Sequence, residues 1–123
     1  MRYSQLILLA LLALTLTGCS LPREPAPFVE SRGSTDAPLT GTVEMTAQNF
    51  QFHPNHLVVK AGTTIHLNNL DDAGQSLLTD DKTIDSGVLG QGESTELQFD
   101  ELGTLRFSSE PFPNMTGTIT VVP

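Results

Sequence analysis

Only one cysteine, Cys19, occurs among the 123 residues, so no internal disulfide can form. A site built on a thiolate is excluded from the rest of the chain. Histidine is scarce too: His53, His56 and His66 are the three present, and none follows residue 66. Cations are few, with six Lys or Arg against fourteen Asp or Glu and a formal net charge of −8. This balance argues against nucleic acid and anionic membrane surfaces, and suits solubility or a cationic partner. The chain shows no coiled-coil heptad, no internal repeat and no sign of a second domain. Its apolar run from Leu6 to Leu16 is too short to cross a bilayer as a helix.

What is present begins with that run. Arg2, the stretch Leu6 to Leu16 and the box Leu16-Thr17-Gly18-Cys19 have the order of a bacterial lipoprotein leader over residues 1–18. A core helix would show a polar face, and Leu6 to Leu14 shows none. Cys19 is then the lipid-attachment residue, and several acyl chains on one cysteine anchor a protein durably. By resemblance to such lipoproteins, Ser20 in place of Asp after the cysteine favours the periplasmic face of an outer membrane. Removing residues 1–18 takes Arg2 away and leaves five Lys or Arg against fourteen Asp or Glu, a formal charge of −9. Residues 19–42 hold the acylated cysteine and a Pro-, Gly- and Ser-rich segment without an apolar period, which predicts a flexible linker with a reach on the order of 25 Å.

Residues 43–123 form the remaining domain. Val43, Met45 and Ala47 alternate with Glu44 and Thr46, and Thr63, Ile65 and Leu67 alternate with Thr64 and His66. Period-two alternation of this kind, broken by turn signals such as Ala61-Gly62 and Gly90-Gln91-Gly92, predicts an all-β, antiparallel sandwich of about seven or eight strands. The expected core is Phe50, Phe52, Leu57, Val59, Ile65, Leu67, Leu97, Phe99, Leu105, Phe107, Ile119 and Val121.

The order of several segments carries a family resemblance. Asn49-Phe50-Gln51-Phe52-His53-Pro54 leads into Leu57-Val58-Val59-Lys60-Ala61-Gly62, Asn69 to Gln75 follows, and Gly103-Thr104-Leu105-Arg106-Phe107 precedes the loop Ser109 to Met115. Together they resemble the cupredoxin family, of the plastocyanin and pseudoazurin type, which implies a cupredoxin-like Greek-key β-sandwich. In that family the last loop supplies Cys, then His three residues on, then Met three further. Here the matching residues are Ser109, Phe112 and Met115, and the first histidine position matches Gln75. A blue-copper site takes two imidazoles, a thiolate and a weak axial thioether. The resemblance thus implies degenerate copper-site positions, with only Met115 keeping a plausible donor and no type 1 electron transfer. His66, nine residues before Gln75 and in the polar register of its strand, is no substitute.

Pro111, Phe112, Pro113 and Met115 either fill the vacated space or form an apolar protein contact. His53 and His56, with Met115, are the alternative metal candidates, and Met45 or Glu44 could neighbour them; odd spacing puts the two histidines on opposite faces of a regular strand. Ser108 and Ser109 lie far in sequence from every histidine, and Asp71-Asp72 and Asp80-Asp81 read as solvated turns, so no enzyme is expected. The expected function is a lipid-anchored periplasmic binding or accessory module, held at the membrane through Cys19, with an envelope protein as partner, no nucleic acid and no cofactor. The alternatives are a copper carrier or buffer with a non-blue His/Met site, and a structural subunit of an envelope complex.

Overall fold

Nine β-strands and no helix make up the described residues of the computed structural model, which are Gly18 and residues 26–123. Apart from Gly18, the expected leader and Cys19, the expected lipid-attachment residue, lie outside them. The strands are β1 (Ser31–Arg32), β2 (Thr42–Gln48), β3 (Gln51–His53), β4 (His56–Lys60), β5 (Thr63–Asn69), β6 (Leu78–Thr79), β7 (Ser94–Phe99), β8 (Gly103–Ser108) and β9 (Thr116–Val122). They form a five-stranded sheet in the order β1-β4-β9-β8-β6 and a four-stranded sheet in the order β3-β2-β5-β7.

Both sheets are mixed, where alternation alone predicted antiparallel ones. Pairs β1–β4, β4–β9 and β2–β5 are parallel and the others antiparallel. Parallel neighbours need a crossover. Here the chain supplies it by passing from one sheet to the other after β1, β3, β4, β5, β6 and β7.

The alternation itself is realised. Along β5, Thr63, Ile65, Leu67 and Asn69 point inward, and β2 contributes Val43, Met45 and Ala47 opposite them. Phe52 of one sheet meets Phe107 of the other edge-on, with ring centres 5.1 Å apart. Gly117 lies under that ring, where any Cβ would collide with Phe107 and the Asn55 carbonyl. Two expected core residues are displaced. Phe50 is 49% exposed because it sits in the turn between β2 and β3, and Leu105, half-buried, packs on the margin of the core where it lines a surface cleft with Ile84 and Phe99. Leu77, Leu89 and Met115, which lie in segments without a period, join the core along with Val43, Met45 and Ala47.

The segment expected to be a linker up to residue 42 is part of the fold from Phe28 onward. The Asn55 side chain donates to the Phe28 carbonyl (2.7 Å) and accepts from the Glu30 amide (2.8 Å). Ser31 and Arg32 then pair with His56 and Leu57, and Leu39 bridges to Val59. Backbone pairing, the buried Asn55 amide and scattered side chains (Phe28 and Glu30 against His53, Leu39 on the core) make this attachment, which explains why no apolar period announces it. Strands β2, β5 and β8 finish at one end of the sandwich, where β4, β7 and β9 begin. We call it the loop end.

Replacing Asn55 by Ala removes both clamps on the N-terminal segment. The expected cost is about 1–3 kcal/mol, with roughly 4–8 °C lost in Tm per kcal/mol, and new cleavage before residue 33 in limited proteolysis. An unchanged melt and cleavage pattern would contradict the clamp.

Candidate functional site

Strand β5 delivers Asn69, fully buried, to the loop end. Its side-chain amide donates to the carbonyls of Ala73 (2.9 Å) and Leu89 (2.8 Å), and its oxygen accepts from the Asp71 amide (2.9 Å). These bonds fold the turn after β5 so that Asp71 points back into the protein. One Asp71 oxygen, Oδ2, accepts from the Phe50 amide (3.1 Å) and from Gln75 Nε2 (2.9 Å). Gln75 in turn accepts at Oε1 from the Ser109 hydroxyl (2.7 Å), which itself accepts from the Ser76 amide (3.1 Å). The Glu110 amide donates to the Ser76 hydroxyl at 2.8 Å. Met115 closes the last loop, its amide donating to the Phe112 carbonyl (2.9 Å) and its carbonyl accepting from the Ser109 amide (3.1 Å).

The four positions matched through the family resemblance therefore share one end of the fold, with Gln75, Ser109 and Met115 buried and Phe112 half-buried. As a donor set they do not fit a copper ion of the blue type. The Gln75 oxygen and the Ser109 hydroxyl are bound to each other, Phe112 has no lone pair, and Met115 alone carries a soft donor. No buried side-chain N or O atom lacks a hydrogen-bond partner among the described residues. Asp71, expected as part of a solvated turn, is instead 7% exposed and central to the network. The sequence pattern does not mark Asn69 and Asp71 as site residues, because only tertiary contacts distinguish a turn carboxylate that folds inward from one that faces water.

The histidines are not brought together. His53 belongs to β3 and His56 to β4, which lie in different sheets. His53 contacts the Glu30 carboxylate (3.2 Å) and the Gln48 carbonyl (3.2 Å), His56 contacts the Thr118 hydroxyl (2.7 Å), and His66 contacts Glu44 (2.7 Å). Met45, conceivable as a neighbouring ligand, is fully buried. Among the described residues no three His, Cys, Asp or Glu side chains are grouped to hold a metal ion. Ser109 has no imidazole beside it to act as a base; its hydroxyl is taken by Gln75 and Ser76. Away from this end, hydrogen bonds from the Thr83 amide and from the hydroxyls of Thr79 and Thr83 hold the Asp81 carboxyl below the usual carboxylate range, and they cap a turn.

The outer surface of the loop end is apolar. Asn49 and Phe50 form a two-residue hairpin turn, both with positive φ (54° and 56°). For a residue as bulky as Phe this backbone region costs roughly 1–2 kcal/mol. The Phe50 ring meets Phe112 edge-on at 4.9 Å, and the two line an open groove of about 470 Å³ with Pro111, Pro113, Asn114 and Met115. Pro111 and Pro113 are exposed. Met115, expected with them as a contact residue, is only 4% exposed and belongs to the core. Asp72, in a cleft with Phe50, and Glu110, next to Pro111, stand exposed beside this surface, and the segments 48–51, 70–77, 87–93 and 109–115 hold no Lys or Arg.

Ser109→Ala leaves the Gln75 oxygen and the Ser76 amide without their buried partner. It is expected to lower stability by about 1–3 kcal/mol, read as a lower urea midpoint with an unchanged slope. A midpoint equal to that of the parent would mean the network is not formed.

Comparison with known proteins places this geometry. The sequence matches the profile of the Cupredoxin-like domain over residues 7–121. No match was found among curated protein sequences. Similar solved structures include a Cu(I) form of a mutant amicyanin, at 20% identity and a TM-score of 0.62, covering 69% of this chain and 91% of that one. A purple cupredoxin from Nitrosopumilus maritimus is 21% identical with a TM-score of 0.59, covering 67% of this chain and 99% of that one. A copper-containing nitrite reductase from Thermus scotoductus SA-01 is 24% identical with a TM-score of 0.60, covering 70% of this chain but 23% of the reductase. The two mixed sheets and the profile match together mean that this chain belongs to the cupredoxin-like domain family.

Proposed function

We propose that the chain is a lipid-anchored periplasmic binding module that keeps the cupredoxin sandwich, carries no type 1 copper and is not an enzyme. The observation that carries this reading is Phe50, half exposed and held in a strained backbone conformation against Phe112. Strain at an exposed aromatic persists only where surrounding structure imposes it, here the hydrogen bond from the Phe50 amide to Asp71. Apolar surface maintained against such a cost marks a contact with another protein.

The donor chemistry supports the copper-free part. Gln75, Ser109 and Phe112 offer neither imidazole nor thiolate, and the first two are committed to each other. The box Leu16-Thr17-Gly18-Cys19 supports acylation at Cys19, and Ser20 supports residence on the periplasmic side of an outer membrane. The separation of His53 from His56 between the sheets leaves the copper-carrier alternative without a specific observation in its favour.

Two experiments follow. Copper(II) added to the purified protein is expected to give no intense blue absorption, whereas the triple variant Gln75→His, Ser109→Cys, Phe112→His, which retains Met115, gains it. A blue band in the parent would overturn the reading, and its absence in a folded triple variant would undo the positional match to the family's ligands. For the contact surface, Phe112→Asp is expected to abolish cross-linking to the partner in intact cells. Phe50→Gly trades an edge contact for relief of the positive φ, so Tm stays within about 5 °C while cross-linking falls. Cross-linking unaffected by either change would refute the contact.

A further inference from the structure

The chain enters the fold at the loop end. Pro27 and Phe28 line a cleft of about 230 Å³ with Phe50, Asn114 and Met115, and Asn55 holds the Phe28 carbonyl there. From that point β1 runs parallel to β4, which is itself parallel to β9, and both of those begin at the loop end, so the N-terminal segment travels away from it. The chain therefore joins the domain on the side of the Phe50 and Phe112 surface.

Length sharpens this. Eight residues lie between Cys19 and Phe28, nine chain steps that span at most about 32 Å whatever their path. A domain of this size is itself about 30 Å across. An anchor at Cys19 thus holds the loop end within about 32 Å of the lipid headgroups, and the opposite end turns toward the lipid only when this stretch is drawn out alongside the domain. The linker expected over residues 19–42 would have allowed free reorientation; clamping at Phe28 and Glu30 removes that freedom.

Charge decides what can meet the surface. Asp72 shares a cleft with Phe50, Glu110 stands exposed next to Pro111, and the segments 48–51, 70–77 and 109–115 hold no Lys or Arg. Surfaces that settle on anionic lipid use basic residues at this position, so a carboxylate rim disfavours the bilayer itself. It suits a protein whose apolar contact is ringed by Lys and Arg.

We propose that the Phe50 and Phe112 surface faces the membrane that holds the anchor and docks on a protein embedded in or fixed to that same membrane, through an apolar contact with a basic rim. This rests on the anchor and the binding surface of the proposed function, and it adds the location and chemistry of the partner. The short stretch between Cys19 and Phe28 then sets a high effective concentration at the membrane.

The test places a benzophenone side chain at Asn114 of the full chain in cells and compares three forms. They are the acylated chain, the same chain with thirty Gly/Ser residues inserted between Arg23 and Glu24, and a form exported on a cleaved, non-acylated leader and starting at Ser20. The expected result is a discrete cross-link to one membrane-retained protein. Its yield falls at least about threefold in the lengthened and released forms, and again with Glu110→Lys. Equal yield in all three forms would overturn the membrane-side placement while leaving the binding module standing. Cross-linking to lipid instead of protein would overturn the proposed occupant. No cross-link from any form, with folding verified by thermal melt, would sink the binding reading and this inference with it.

Discussion

The hydrogen-bonded chain from Asp71 through Gln75 to Ser109 is the constraint on which the loop end depends. It joins the turn at Asn49 and Phe50, the segment after β5 and the loop before β9, three pieces that no strand ladder holds to one another. An unpaired buried donor or acceptor costs about 1–3 kcal/mol, and the low local dielectric makes each pairing count for more than in water. Because the Gln75 amide and the Ser109 hydroxyl are bonded to each other and to Asp71 and Ser76, turning either toward a cation would disturb bonds that support its neighbours. The cupredoxin sandwich is stabilised at this end by polar side chains bonded to each other.

Closing the interior moves the chemical interest to the outside. Asp71 fixes the Phe50 amide, so the same carboxylate that orders Gln75 also holds an aromatic ring out toward solvent. Phe112 meets that ring edge-on, and its half-burial lets it fill the end of the sandwich and contribute to the outer surface. The entry of the chain at Phe28, beside the same groove, gives the surface a direction as well as a composition.

Much of the fold was legible because alternation reports which face of a strand is buried. It predicted ten of the twelve expected core residues correctly. It does not report strand direction, which is why the parallel pairs β2–β5 and β4–β9 were missed. Phe50 shares the parity of Phe52, and Asn-Phe is not a recognised hairpin pair, so nothing local warned that a turn with two positive φ values would carry it outward. The pairing of Ser31 and Arg32 with β4 rests on backbone groups and left no pattern to read. At the site, Gln75 and Ser109 were associated through family resemblance alone. Their direct bond, across 34 residues of sequence, depends on where Asn69 and Asp71 turn the chain.

The most direct test of this account is the side-chain amide signal of Gln75 in the NMR spectrum, followed as copper(II) is added in excess. With Gln75 bound between Asp71 and Ser109, the amide protons should exchange slowly, and the signals of Gln75, Ser109 and Met115 should stay in place and keep their widths. Rapid amide exchange, or selective paramagnetic broadening of these three residues, would contradict the claim that hydrogen bonds have taken over this end of the sandwich.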